Sequence, residues 1–116
     1  MHYGLNGWQP PAVLAEIRAR RFTMLRLSLH TGLHAPEHVS QARDAGFQPL
    51  VIARDGDHVR ELGVLLGGAD VEFWNEPNLD VDLKISPADY AVMVPDFLVA
   101  CAEVGATPWI GSISNL

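Results

Sequence analysis

A chain of 116 residues suits one domain or part of one, and at 48% hydrophobic and 19% charged it is neither disordered nor fibrous. The formal net charge of −6 argues against a nucleic-acid surface, which needs clustered Lys and Arg, and no stretch is long enough for a membrane span. Cys101 is the sole cysteine, so no intrachain disulfide can form.

The charge is uneven. Residues 1–63 hold seven of the eight basic residues and six acids, whereas residues 64–116 hold only Lys84 against eight acids. An acidic half suits a site for neutral sugars or cations, and equally suits solubility. Met1-His2-Tyr3-Gly4 lacks the basic and apolar runs of a signal peptide.

In chain order, Tyr3 to Trp8 reads as a short strand or turn. Pro10-Pro11 open a helix with Val13, Leu14 and Ile17 at helical spacing, and Arg18, Arg20 and Arg21 on its wet side. Residues 22–29 form a second strand, apolar except for Arg26 and two hydroxyls, as in a parallel strand covered on both faces. A buried Arg needs a partner. Arg26 either snorkels from a strand end or points inward and holds a carboxylate.

His30, His34 and His38 have the i, i+4, i+8 spacing of metal ligands on one helix, but Gly32 and Pro36 break any such helix, so no metal is expected. His30 is placed to line a site, or is a plain surface imidazole. A short helix runs from Pro36 to Gly46, and the third strand is residues 47–53. Asp57 is expected to cap a helix with Val59, Leu62, Leu65 and Leu66 as its buried stripe.

Val71 to Trp74 is a fourth strand, and Pro77-Asn78 makes a turn after it. Asn75 and Glu76 therefore stand where a strand gives way to a loop. A lone Glu there is ordinarily solvated. Beside Phe73 and Trp74 it can be desolvated, which raises a carboxyl pKa toward that of a general acid, next to an amide that orients hydroxyls. Asp80 and Asp82 belong to the loop that follows. Ser86-Pro87-Ala88-Asp89 is a helix start, Tyr90, Val94, Phe97 and Cys101 mark one face, and Pro95 should kink the helix. Residues 107–114 form a fifth strand.

Strands alternate with helices throughout, the pattern of parallel βα units. Neither a G-x-G-x-x-G nor a P-loop is present, so a doubly wound nucleotide fold is disfavoured. The expectation is α/β: a partial (β/α)8 TIM barrel of about four βα units plus a fifth strand, since eight units typically take ~250 residues.

Trp74-Asn75-Glu76-Pro77 resembles the Asn-Glu-Pro motif of clan A glycoside hydrolases, the retaining (β/α)8-barrel enzymes that include cellulases, β-mannanases and β-xylosidases. The strand with Arg26 and the Ser86-Pro87-x-x-Tyr90 helix start are similar to that clan too. The resemblance covers nearly the whole chain but only the N-terminal half of the family pattern. It implies hydrolysis of β-glycosidic bonds with retention, with Glu76 as acid/base, Asn75 on the sugar 2-hydroxyl and Arg26 on the nucleophilic carboxylate. The clan's nucleophile sits on a seventh strand, absent from this pattern, so the chain alone is expected to be inactive.

Glu72 shares strand parity with Glu76 but lies deeper along the strand, below the mouth, which disqualifies it as nucleophile. Trp8, Trp74 and Trp109 can stack on sugar rings or serve as core. No cofactor is implied. The expected partner is a carbohydrate. The alternatives are a non-catalytic sugar-binding domain and a half-barrel that pairs with a second copy through its open sheet edges.

Overall fold

A computed structural model describes residues 3–74 and 85–110. The elements are β1 (Tyr3–Asn6), α1 (Pro11–Ala19), β2 (Phe22–Ser28), α2 (Glu37–Asp44), β3 (Gln48–Ala53), α3 (Gly56–Leu62), a 3-10 turn (Gly63–Leu66), β4 (Asp70–Phe73), α4 (Pro87–Val104) and β5 (Thr107–Ile110). The strands form one sheet in the order β1-β2-β3-β4-β5, every neighbouring pair parallel. A strand order without reversal has no topological switch point, so the sheet is not doubly wound.

Local chemistry sets the boundaries. Pro11 opens α1. The Ser86 hydroxyl accepts from Asp89 N–H at 3.1 Å, with Pro87 at the first helical position, so α4 starts where the sequence places it. α4 runs through Pro95 as one helix to Gly105, whose φ of 74° closes it. The cap of α3 is a correction: Asp55, not Asp57, accepts from His58 N–H, at 2.8 Å. The helix begins at Gly56, so Asp57 already lies in its first turn. Gly63, at φ 54°, then breaks the expected long stripe, and Leu66 is buried from the 3-10 turn instead.

Alternate residues face opposite sides of a strand. Leu25, Leu27, Val51, Ala53, Val71 and Phe73 are fully buried and share one cluster with Leu14, Val39, Val59, Phe97, Ala100 and Cys101 from the helices. The helices therefore cover one face of the sheet, as right-handed crossovers require of a sequential order. Phe73 stacks between Tyr90 and Phe97 at 4.5 and 4.7 Å. Cys101 is buried there, as expected. Val13 is not core: α1 turns Leu14 inward and leaves Val13 40% exposed. The other face carries Met24, Arg26, Leu50, Glu72 and Trp109, with Trp109 56% exposed.

Candidate functional site

In a parallel sheet every strand ends on the same side, and ligands are taken at that carboxyl edge. Here the strand exits lead to Trp8 after β1, His30 after β2, Arg54 after β3 and Trp74 after β4. Asn75 and Glu76 lie outside the described residues.

The β4 exit is tightly held. Trp74 has a φ of 55°, in the left-handed region that a bulky residue enters only under constraint. Three contacts supply that constraint. Trp74 N–H donates to the Ala53 carbonyl at 3.1 Å. The Tyr90 hydroxyl donates to the Phe73 carbonyl, tying α4 to the last peptide of the strand. The indole of Trp74, 3% exposed, meets the His30 ring edge-on at 4.9 Å. Trp74 and His30 are thus brought together as buried neighbours.

His58, also buried, adds to this group. Its Nδ1 accepts from Arg54 N–H at 3.1 Å. Burial, helped by the positive field of Arg54, holds its pKa below the ordinary imidazole value.

A second group gathers at the β1 and β2 exits. Trp8 stacks on His38 at 4.5 Å, and His34 lies 6.0 Å from His38. His34 faces two backbone donors, Ser28 N–H at Nδ1 (2.9 Å) and Trp8 N–H at Nε2 (3.3 Å). A neutral imidazole accepts at one nitrogen and a protonated one at neither. Burial and the neighbouring His38 lower the His34 pKa, in keeping with that geometry. Among the described residues no set of three or more His, Cys, Asp or Glu is placed to hold a metal ion.

Arg26 does not stand without a carboxylate. Its Nη2 and Nε donate to Glu72 Oε2 at 2.9 and 3.2 Å, with the two side chains 24% and 11% exposed. Of the two readings of Arg26, the structure shows the inward one: it holds a carboxylate, that of Glu72. Arg26 pairs with Leu50 and Leu50 with Asp70, so Glu72 stands two residues further along, within reach of a long guanidinium stem. Strand parity put Glu72 on the inner face, but its pairing depends on inter-strand register.

Trp109 lies on the same face, its Nε1 donating to Asp70 at 3.0 Å. A concavity of about 360 Å³ opens there, lined by Met24, Leu50, Glu72, Trp109 and Ile110. Tyr90 and His58 are the positions that sequence reasoning missed at the rim. Helical spacing places Tyr90 on the buried face of α4 but does not say where its hydroxyl bonds. His58 carried no signal beyond standing three residues after Asp55.

No known protein family, curated protein or solved structure matches this chain.

Proposed function

We infer that the chain is half of a (β/α)8 barrel that binds β-linked oligosaccharides at the carboxyl edge of its sheet and belongs to a retaining glycoside hydrolase. Glu76 is the acid/base, and Asn75 holds a sugar hydroxyl. The observation that carries this reading is the β4 exit. A strained, buried Trp74, locked by Ala53, Tyr90 and His30, immediately precedes Asn75-Glu76-Pro77 in the sequence. Backbone strain of this kind persists where surrounding structure over-determines it, and it gathers at functional sites. The sequential parallel order agrees with a barrel segment.

The roles follow from chemistry. A general acid for glycoside cleavage needs a raised carboxyl pKa, and an apolar rim provides it by disfavouring the charged form. Arg26 and Glu72 form the ionic floor of the inner face. Retention requires a second carboxylate about 5–5.5 Å from the first. Glu72 lies within β4, below the strand exit, and Asp55 is committed to capping α3, so neither serves as nucleophile. The second carboxylate comes from the other half of the barrel.

Oligosaccharide binding tests this reading without requiring turnover. Cello-, manno- and xylo-oligosaccharides are titrated into the native chain, and amide shifts are followed by NMR. At least one series should bind, Asn75→Ala should weaken it by about tenfold, the loss of one hydrogen bond, and Glu76→Gln should retain it. No binding by any series would overturn the reading.

A further inference from the structure

At the carboxyl edge of the sheet, backbone N–H groups of the turns are received by imidazoles. After β2, His34 Nδ1 accepts from Ser28 N–H at 2.9 Å, and its Nε2 faces Trp8 N–H, just past β1, at 3.3 Å. At the start of α2, His38 Nδ1 accepts from Ala35 N–H at 3.0 Å. After β3, His58 Nδ1 accepts from Arg54 N–H at 3.1 Å. This last bond is half of a reciprocal turn, because Asp55 Oδ1 accepts from His58 N–H at 2.8 Å. The arrangement is close to a capping box, with an imidazole where Glu or Gln ordinarily reaches back.

Turns are more often closed by Asp, Asn, Ser or Thr, whose acceptor oxygens keep their function near neutral pH. An imidazole nitrogen accepts only while it carries no proton.

We propose that His34 and His58 are acid-sensitive latches: neutral, they hold the exits of β1, β2 and β3 closed, and protonated, they release them while the sheet beneath stays formed. Protonation turns Nδ1 from acceptor to donor, so N–H faces N–H and the Ser28 and Arg54 amides lose their partners. His34 is the more sensitive of the two. Its neutral ring serves only one of two backbone donors, and the shorter Ser28 contact takes the lone pair. Its charged ring serves neither. Trp8 stacks on His38 at 4.5 Å, so release at His34 also loosens the Trp8 segment from α2.

The surroundings set the direction. Burial favours the neutral form of both rings. His38 on α2 faces His34 and adds to this. At His58, Arg54 at the β3 exit and His30 at the β2 exit act with burial, while Glu61 on α3 and Asp55 oppose it. Both rings are therefore neutral when closed, and opening is driven as the pH falls below the ordinary 6.5, where a freed imidazole takes the proton that the closed one refuses. The latches stand on these hydrogen bonds and do not depend on the sugar reading.

Native-state amide exchange on the full 116-residue chain, followed by NMR from about pH 7.5 to about pH 5, tests the proposal. Protection of the Ser28 and Arg54 amides, corrected for intrinsic exchange, should fall about tenfold further than that of Leu25 and Val51, which are buried in the sheet. Protection at Ser28 and Arg54 that tracks Leu25 and Val51 at every pH would overturn the proposal, since acid would then act on the whole fold at once. His58→Asn keeps an acceptor oxygen near the place of Nδ1 but takes no proton. It should abolish the excess acid response at Arg54 and leave that at Ser28, and His34→Asn should do the converse. An excess response that survives its own substitution overturns that latch. The imidazole nitrogen shifts of the native chain give a test that needs no variant to fold. At neutral pH both rings should carry their proton on Nε2, and a proton on Nδ1 of either ring overturns its assignment as a latch.

Discussion

The two faces of the sheet are made from alternate residues of the same strands, yet they end in different environments. On the helical side, Leu25, Leu27, Val51, Val71 and Phe73 are fully excluded from water. On the other side, Trp109 is 56% exposed and an ion pair, Arg26–Glu72, sits among Met24 and Leu50. The first face is complete within the chain. The second is covered only in part: Ile52 and Glu72 are buried there while Trp109 is open to water, and Arg26 and Glu72 satisfy each other. The difference teaches that the main core of the described residues lies on one side of the sheet, whereas the other side leaves large side chains open to water.

Truncating an aromatic side chain on each face gives the largest contrast. Phe97→Ala removes a ring stacked on Phe73 in the covered layer and should cost about 3–5 kcal/mol, read by urea unfolding. Trp109→Ala on the open face should change the stability of the protomer by less than about 1 kcal/mol, because the ring is already half in water. Equal costs would mean that the two faces do not differ as described.

Glu72→Ala sharpens the comparison within the open face. It leaves Arg26 with its guanidinium largely out of water and without its Glu72 contacts. A loss of about 2 kcal/mol is expected, below that of a fully buried pair because the Arg26 side chain is 24% exposed. The smallest effect is a pH dependence at the rim that joins the two faces. His34 and His58 have folded-state pKa values lowered from the ordinary 6.5, so the unfolded chain binds more protons between the folded and unfolded values. Stability from these groups is fully present above pH 6.5 and declines as the pH falls through that window. Thermal unfolding at a series of pH values should show this slope, and His34→Gln with His58→Gln should flatten it.

The covered face was legible in the sequence and the open face much less so. Ser86-Pro87, Pro11, Gly46 and Gly105 act locally, through caps and backbone preferences, and they placed the helices correctly. Where two residues competed for one role, local rules did not decide. Asp55 and Asp57 flank Gly56 and both favour caps, and the choice follows from where the third strand ends. Val13, Leu14 and Ile17 share a helical spacing, but which of them turns to the sheet depends on how α1 docks.

The Arg26–Glu72 contact joins residues 46 apart through an intervening strand. It depends on two successive registers, which no single stretch of sequence encodes. The β4 exit shows the same division. Its apolar letters and Pro77 announced a strand giving way to a turn, but the left-handed Trp74 and the Tyr90 hydroxyl are products of tertiary packing.

Cys101 turns the covered layer into something that can be timed. It is the only thiol in the chain, fully excluded from water, and burial pushes its pKa up to about 11. A thiol so placed is nearly inert to alkylating reagents until α4 lifts from the sheet, because reaction needs both access and the thiolate. The labelling rate, divided by that of an unfolded reference, is therefore a direct reading of how often this layer opens. A chromogenic thiol reagent can follow that opening in native buffer without an engineered probe, and every variant above carries its own clock.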